Sequence, residues 1–143
     1  MAIFRWASSL KIHPDSGVIE FPGGSIGPTT SLARFLASKV GESAKNSLTN
    51  AEWKQFGVEP EPDIGATVLF DGDAIDRVLI AMKVPSDAAN DWSERVEQER
   101  KFRHDAWLRS NLGDPPYEYA WGHVGSAYDA KGCASAIIIV YER

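Results

Sequence analysis

The spacing of apolar residues along this chain changes several times, and the changes mark its elements. Phe4, Trp6, Leu10 and Ile12 alternate, with an interruption at Ser8, and apolar positions resume at Val18 to Phe21 after "HPDSG". Proline presets the φ angle of a turn and glycine accepts its left-handed exit, so a hairpin is expected with strands near 3–12 and 17–22. "PGGSIGPTT" breaks the pattern, and Thr29 or Thr30 is placed to cap a helix carrying Leu32, Phe35, Leu36 and Val40 at spacings of three and four, ended by Gly41. "TNAE" from Thr49 has the capping-box form of a short helical turn. A short strand near 53–58 and an acidic, proline-stiffened loop follow.

"ATVLFDGDAIDRVLIAMKV" sets an Asp71-Gly72 turn between two β-rich runs, which predicts a hairpin with strands near 65–70 and 74–84. The stretch 87–112 reads as a long helix started by Ser86 or Asp87 and stopped by Gly113, with acids first and bases last, as the helix dipole favours. Trp92, Val96, Phe102, Ala106 and Trp107 make its expected core stripe, with Glu99 and Arg103 a turn apart inside it. A terminal hairpin, "WGHVGSAYDAKGCASAIIIVYER", completes the chain. Tight turns join neighbouring strands and no strand–helix–strand crossover repeats, so the expected fold is α+β. It is a single curved antiparallel β-sheet of about seven strands with two α-helices packed on one face.

If "DAKG" is a tight turn pairing Asp129 with Cys133, then Trp121, His123, Ile137, Ile139 and Tyr141 share a face. The small-residue face, with Ala134, Ala136, Ile138 and Val140, is then the one the helices approach. So much apolar surface on the first face is expensive to leave wet. Its cover is the rest of the chain, a homodimer partner or a foreign protein.

The 143 residues are most simply one domain, 1–143, and a globule of this size buries roughly two thirds of its unfolded surface, enough for a real core. Hydrophobic content of 43% and charged content of 24% are those of a soluble globular protein, which sets disorder and coiled coil aside. The longest uncharged apolar run, Cys133 to Tyr141, is too short to span a bilayer, and no secretory leader is read at the start, so a cytoplasmic protein is expected. A single cysteine, Cys133, excludes an internal disulfide.

The net charge of −5 argues against sequence-independent nucleic-acid binding, which needs a lysine and arginine surplus. The charge is also uneven, since Glu59, Glu61, Asp63, Asp71, Asp73 and Asp76 follow one another with no intervening base. Such a run either keeps a face solvated or steers a basic partner.

Candidate chemistry is sparse. His13, His104 and His123 show no ligand spacing and there is no second cysteine, so neither a metal site nor a cofactor is expected. "FPGGSIGPTTS" precedes a helix but lacks the lysine of a phosphate loop, and "DGDAID" lacks the liganding pattern of a calcium loop.

"SSLKIHPDSGVIEFPGG", "HDAWLRSNLG" and "YEYAWGHVGSAYDAKGCASAIIIVY" resemble small bacterial immunity proteins that accompany polymorphic antibacterial toxins, over roughly the first thirty and last forty residues. The resemblance implies a non-catalytic cytoplasmic protein that binds one toxin, a basic protein domain, and occludes its active site. On that reading Glu59, Glu61, Asp63, Asp71 and Asp73 stand in for nucleic-acid phosphates, and Trp53, Trp121 and His123 are the partner-binding aromatic anchors. Two rival readings stand beside it. One is a small enzyme or ligand-binding module with a pocket between sheet and long helix, lined by Trp92, Trp107, Trp121 and His123. The other is a homodimeric structural protein built on the terminal sheet face.

Overall fold

The computed structural model describes residues 10–49, 53–61, 63–84, 93–129 and 134–142. The expected strands at 3–9, the expected helix start at Ser86 or Asp87, Trp92 and Cys133 lie outside these residues. The fold is α+β. A seven-stranded antiparallel sheet is made by β4 (Lys45–Thr49), β5 (Trp53–Glu61), β6 (Ile64–Asp71), β7 (Ala74–Met82), β10 (Ala134–Tyr141), β9 (Gly122–Asp129) and β8 (Tyr117–Tyr119), in that spatial order. The helix α3 (Glu94–Leu112) carries the chain from the middle of the sheet at β7 to its edge at β8.

A second, three-stranded sheet, β1 (Lys11–Ile12), β2 (Ile19–Phe21) and β3 (Gly24–Ile26), was not expected beyond its first hairpin. Its third strand comes from "GGSI", taken in the sequence as a break. Glycine-rich segments read as turns by composition alone, yet Ile26 is apolar and closes a pair with Ile19. The expected first helix is two short ones, α1 (Leu32–Ala37) and α2 (Lys39–Glu42). Ser31 caps the first and Ser38 breaks the run, its hydroxyl accepting from the Gly41 amide at 3.1 Å. Thr49 closes strand β4, and the residues of the helical turn expected after it, 50–52, lie outside the described residues.

The Asp71-Gly72 hairpin is present, with Gly72 at φ 62° and Asp71 paired to Ala74. Along β6 strict alternation buries Ile64, Ala66, Val68 and Phe70, which turns one face of the sheet into the core. Phe56, Val58, Val78, Ile80, Val124, Ile137, Ile139 and Tyr141 extend that face across the other strands. α1 and α2 cover it at the β5–β7 end, where Phe35 sits among Phe56 and Phe70 with ring centroids 5.4 and 5.3 Å away, while the small sheet reaches from α2 at β3 to α3 at β1. α3 covers it over β9 and β10.

The terminal hairpin departs from its expected register by one residue. Asp129 pairs with Ala134, not Cys133, so Ile139 lies opposite Val124 and Ile137 opposite Ser126. A slip of one residue exchanges the faces of a strand. Ile137, Ile139 and Tyr141 therefore face the helices, and the small-residue face with Ala134, Ala136, Ile138 and Val140 is the outer one. The question of what covers the isoleucines is answered by the chain itself.

Trp121 does not share a face with His123, because it sits in the β8–β9 turn just before Gly122, whose φ is 151°. A β-carbon at Gly122 would meet the Val140 carbonyl, so the close turn needs glycine.

Candidate functional site

Two surfaces and one buried network hold the chemistry-bearing residues. The first surface is the outer face of the seven-stranded sheet. Strand partners share a face, so one row across it runs Gln55, Leu69, Arg77, Val140, His123, Glu118, and the next runs Gly57, Thr67, Leu79, Ile138, Gly125. None of these residues is buried, and no described helix or strand packs over them. A groove of about 630 Å³ lies here, floored by Gly57, Gly65, Thr67, Leu79, Ala81 and Ala136. A β-carbon added at Gly65 or Gly125 would meet nothing within 4 Å. Glycine inside a strand costs stability, and where the fold does not require it, it fits a place that another molecule approaches.

The acidic run is divided by the fold. Glu59 and Glu61 close β5 and Asp63 follows in the turn, whereas Asp71 and Asp73 lie at the far end of β6. The strand between holds them about 23 Å apart. The expected single patch is therefore two. Trp53 pairs with Asp71, so it belongs to the second cluster and not to the Glu59 loop beside which the sequence suggested it. Trp53 and Asp71 are both partly buried, Glu59, Asp63 and Asp73 are exposed, and the Glu61 side chain falls outside the described residues.

Trp121 is a structural pin, which corrects its expected role as an exposed anchor. It is buried, stacks on Tyr119 with centroids 5.0 Å apart, and donates from Nε1 to the Pro14 carbonyl at 2.7 Å. Tyr141, its neighbour, donates to the Gly17 carbonyl at 2.7 Å, and burial pushes that phenol's pKa up. Together they clamp the β1–β2 turn onto the terminal hairpin. His123 is exposed on the outer face, with Nδ1 3.2 Å from Glu142. Trp107 and Trp121 lie in the core, so the pocket expected between sheet and long helix is not assembled by them with His123.

The buried network was missed by the sequence reading. α3 begins at Ser93, whose hydroxyl accepts from the Val96 amide, and it turns Val96, Glu97, Arg100, His104, Trp107 and Leu108 inward. Phe102, expected in the core stripe, is instead 75% exposed on the opposite side, and Ala106 is exposed. Glu99 and Arg103 form a partly exposed contact at 3.8 Å.

The inward polar residues have a definite task. The β7–β10 ladder ends at Ile80–Ile137, and the backbone groups just beyond it need partners. The Arg100 Nη1 donates to the Met82 carbonyl at 2.6 Å, and the Met82 amide donates to His104 Nε2 at 3.1 Å. The Ser135 amide donates to Glu97 Oε1 at 2.9 Å, and the Ser135 hydroxyl donates to the Glu97 carbonyl at 2.6 Å. Arg100 also forks onto both Glu97 oxygens at 3.0 and 3.2 Å.

Accepting at Nε2 requires a neutral His104 ring with its proton on Nδ1. Burial, reinforced by the Arg100 charge, lowers its pKa from 6.5 to about 4, against smaller opposing effects of Asp105 and Glu97. The arrangement is a helix-to-sheet bracket. Its signal in the sequence is the spacing of Glu97, Arg100, His104 and Leu108 on one stripe, disguised because three of the four are polar.

The second surface is a groove of about 500 Å³ between α3 and the β8–β9 edge, lined in part by Asp105, Leu108, Pro116, Tyr117, Glu118 and Ser126. No cluster of three or more His, Cys, Asp or Glu side chains among the described residues is arranged to hold a metal ion, and no described helix is long and apolar enough to cross a membrane. No protein-family model, curated protein or solved structure matches the chain.

Proposed function

We propose that this chain is a non-catalytic immunity protein that binds and neutralises a basic antibacterial toxin domain, and that the outer face of its seven-stranded sheet is the recognition surface. The observation that carries the reading is that face itself. Leu69, Leu79, Ile138 and Val140 lie on it without a described covering element, beside a groove whose strand glycines are not demanded by the chain's own packing. A sheet that buries one face and leaves the other apolar in its middle is suited to a flat protein partner.

Charge supports the same class of partner. Glu59 and Asp63 at one end, and Asp71 and Asp73 at the other, flank the apolar middle. Two separated acidic borders steer a basic surface and fix its orientation more than they add affinity. The resemblance to immunity proteins in the terminal segments points to toxin neutralisation in particular.

The test is co-expression in a bacterial host with the product of the reading frame immediately upstream of the gene, which on this reading encodes the toxin. Growth is expected to be restored by the chain and lost again with a Leu79→Asp, Ile138→Asp variant that still melts cooperatively. No restoration by the native chain contradicts the reading.

A further inference from the structure

The two halves of α3 are attached to the sheet by different forces. In the second half Trp107 and Leu108 belong to the apolar core, and just past the helix end the Tyr117 hydroxyl donates to the Gly113 carbonyl at 2.9 Å. In the first half, residues 94–104, Val96 is the only buried apolar side chain, and it lies outside that core cluster. Among the described residues, polar bonds hold this half down. Glu97 accepts from the Ser135 amide on β10, Arg100 donates to the Met82 carbonyl on β7, and His104 accepts from the Met82 amide.

The bond made by His104 is conditional on its protonation. The ring is fully buried, Nε2 faces the Met82 N–H, and Nδ1, which carries the proton, has no hydrogen-bond partner. A second proton can go only to Nε2, where it confronts the Met82 N–H and brings a charge into a site with no acceptor for it. The geometry alone therefore sets the folded bracket against a charged ring.

The charged groups acting on the ring lie on α3 itself. Arg100 and Lys101 oppose a further proton, and Asp105 and Glu97 favour it. Glu97 is held by Arg100 and the Ser135 amide, and Asp105 by Lys101 at 2.9 Å. From the sheet, β7 presents the Met82 backbone with the exposed Lys83 beyond it, β10 presents Ser135, and β9 presents the Tyr128 phenol paired opposite Ser135. β1, which also packs against α3, carries the exposed Lys11.

We propose that the first half of α3 is an acid-released latch: a proton on His104 detaches residues 94–104 from β7 and β10, while Trp107 and Leu108 keep the second half on the sheet and the aromatic core under α1 stays closed. Such an opening takes about three helical turns off the sheet. It withdraws only Val96 from apolar contact, so it exposes little surface and is cheaper than unfolding the chain. The released ring regains its ordinary value of 6.5, against about 4 when closed under burial and the Arg100 charge. The latch is therefore fully set above pH 6.5 and is lost as pH falls towards 4.

The test is native-state hydrogen exchange on the isotopically labelled full chain, at pH 7 and at about pH 4.5, in low concentrations of urea and corrected for intrinsic rates. The amides of Met82 and of residues 98–104 are expected to exchange through an opening that barely responds to urea. Those of Ala66 and Val68 should wait for the strongly urea-dependent unfolding of the whole chain. Between the two pH values the latch opening should become more frequent by on the order of fiftyfold. His104→Gln keeps an acceptor for the Met82 amide but takes up no proton, so its latch should open without the acid dependence.

Exchange of Met82 and residues 98–104 only through the urea-dependent unfolding overturns the proposal. An equal acid acceleration in His104→Gln also overturns it, and moves the trigger to the carboxylates of Glu97 and Asp105. If His104→Gln does not fold, the native ring decides. Its nitrogen resonances must show the proton on Nδ1 at pH 7 and titrate in step with the exchange of the Met82 amide. A ring that takes up its second proton while that amide stays protected sinks the proposal.

Discussion

The two ends of the core are held together by opposite means. Beneath α1, Phe35, Phe56 and Phe70 meet ring to ring. Beneath α3 the contact is led by Glu97, Arg100 and His104, which bond to the backbone at Met82 and Ser135. At the first end β5, β6 and β7 pair with one another beneath the rings, and the covering layer adds a backbone bond at the rim, from the Leu32 amide at the start of α1 to the Asp73 carbonyl at 3.0 Å. At the second, β7 and β10 run out of ladder, and the helix supplies the missing partners. A covering helix is apolar where the sheet beneath it is complete and polar where the sheet is not.

That comparison can be broken most forcefully at Arg100. Arg100→Met leaves the buried Glu97 carboxylate without its countercharge, held only by the Ser135 amide, and the Met82 carbonyl without the Arg100 donor, and should cost about 3–5 kcal/mol in chemical denaturation. Phe35→Ala should cost a similar amount, about 3–5 kcal/mol, by leaving a cavity. The second substitutions separate the two ends. Adding Glu97→Gln to Arg100→Met should recover part of the loss, because the stranded charge goes with it, whereas adding Phe56→Leu to Phe35→Ala should deepen the loss.

pH sharpens the contrast further. His104 binds its proton less readily in the folded chain, at about 4, than in the unfolded chain, at 6.5. The unfolded state therefore takes up more protons as pH falls below 6.5. Its bracket is fully present above that value and weakens progressively down to pH 4, by on the order of 3 kcal/mol. Urea midpoints measured from pH 7 to pH 4 should show the decline, and His104→Gln, whose amide oxygen still accepts from Met82, should lose the part of it that His104 supplies. A decline of equal depth in His104→Gln would remove the histidine from the account.

A smaller effect belongs to the clamp at the β1–β2 turn. Trp121→Phe keeps the stack on Tyr119 but loses the bond to the Pro14 carbonyl, and should cost about 1 kcal/mol in thermal melts. Smallest, and opposite in sign, is Gly65→Ala on the outer face. Its β-carbon meets nothing, so stability should rise by about 0.5–1 kcal/mol while partner binding falls. A stabilised variant that binds normally would detach the groove from function.

The sequence displays these regions unequally. The Asp71-Gly72 hairpin was legible because its turn chemistry and its alternation agree. Strand β8 was hidden because three residues carry too little periodicity, and the terminal register was lost because a loop one residue longer exchanges both faces. The α3 stripe was misread for a different reason. Sequence periodicity weighs apolar residues, whereas the inward stripe answers backbone groups that are unpaired only in the folded sheet. Phe102 was drawn into the expected core and lies outside it for the same reason. The acidic run is contiguous in sequence and split in space because a strand of eight residues passes through its middle.

The central claim is that the outer face of the seven-stranded sheet is the surface that recognises a partner. Hydroxyl-radical footprinting of the chain alone and in complex with the product of the upstream reading frame, which the account takes to be the toxin, tests it most directly. The account predicts that oxidation of Leu69, Leu79, Ile138 and Trp53 falls on complex formation while that of Phe102 on the far side of α3 does not change. Protection of Phe102 with those four unaffected would contradict it.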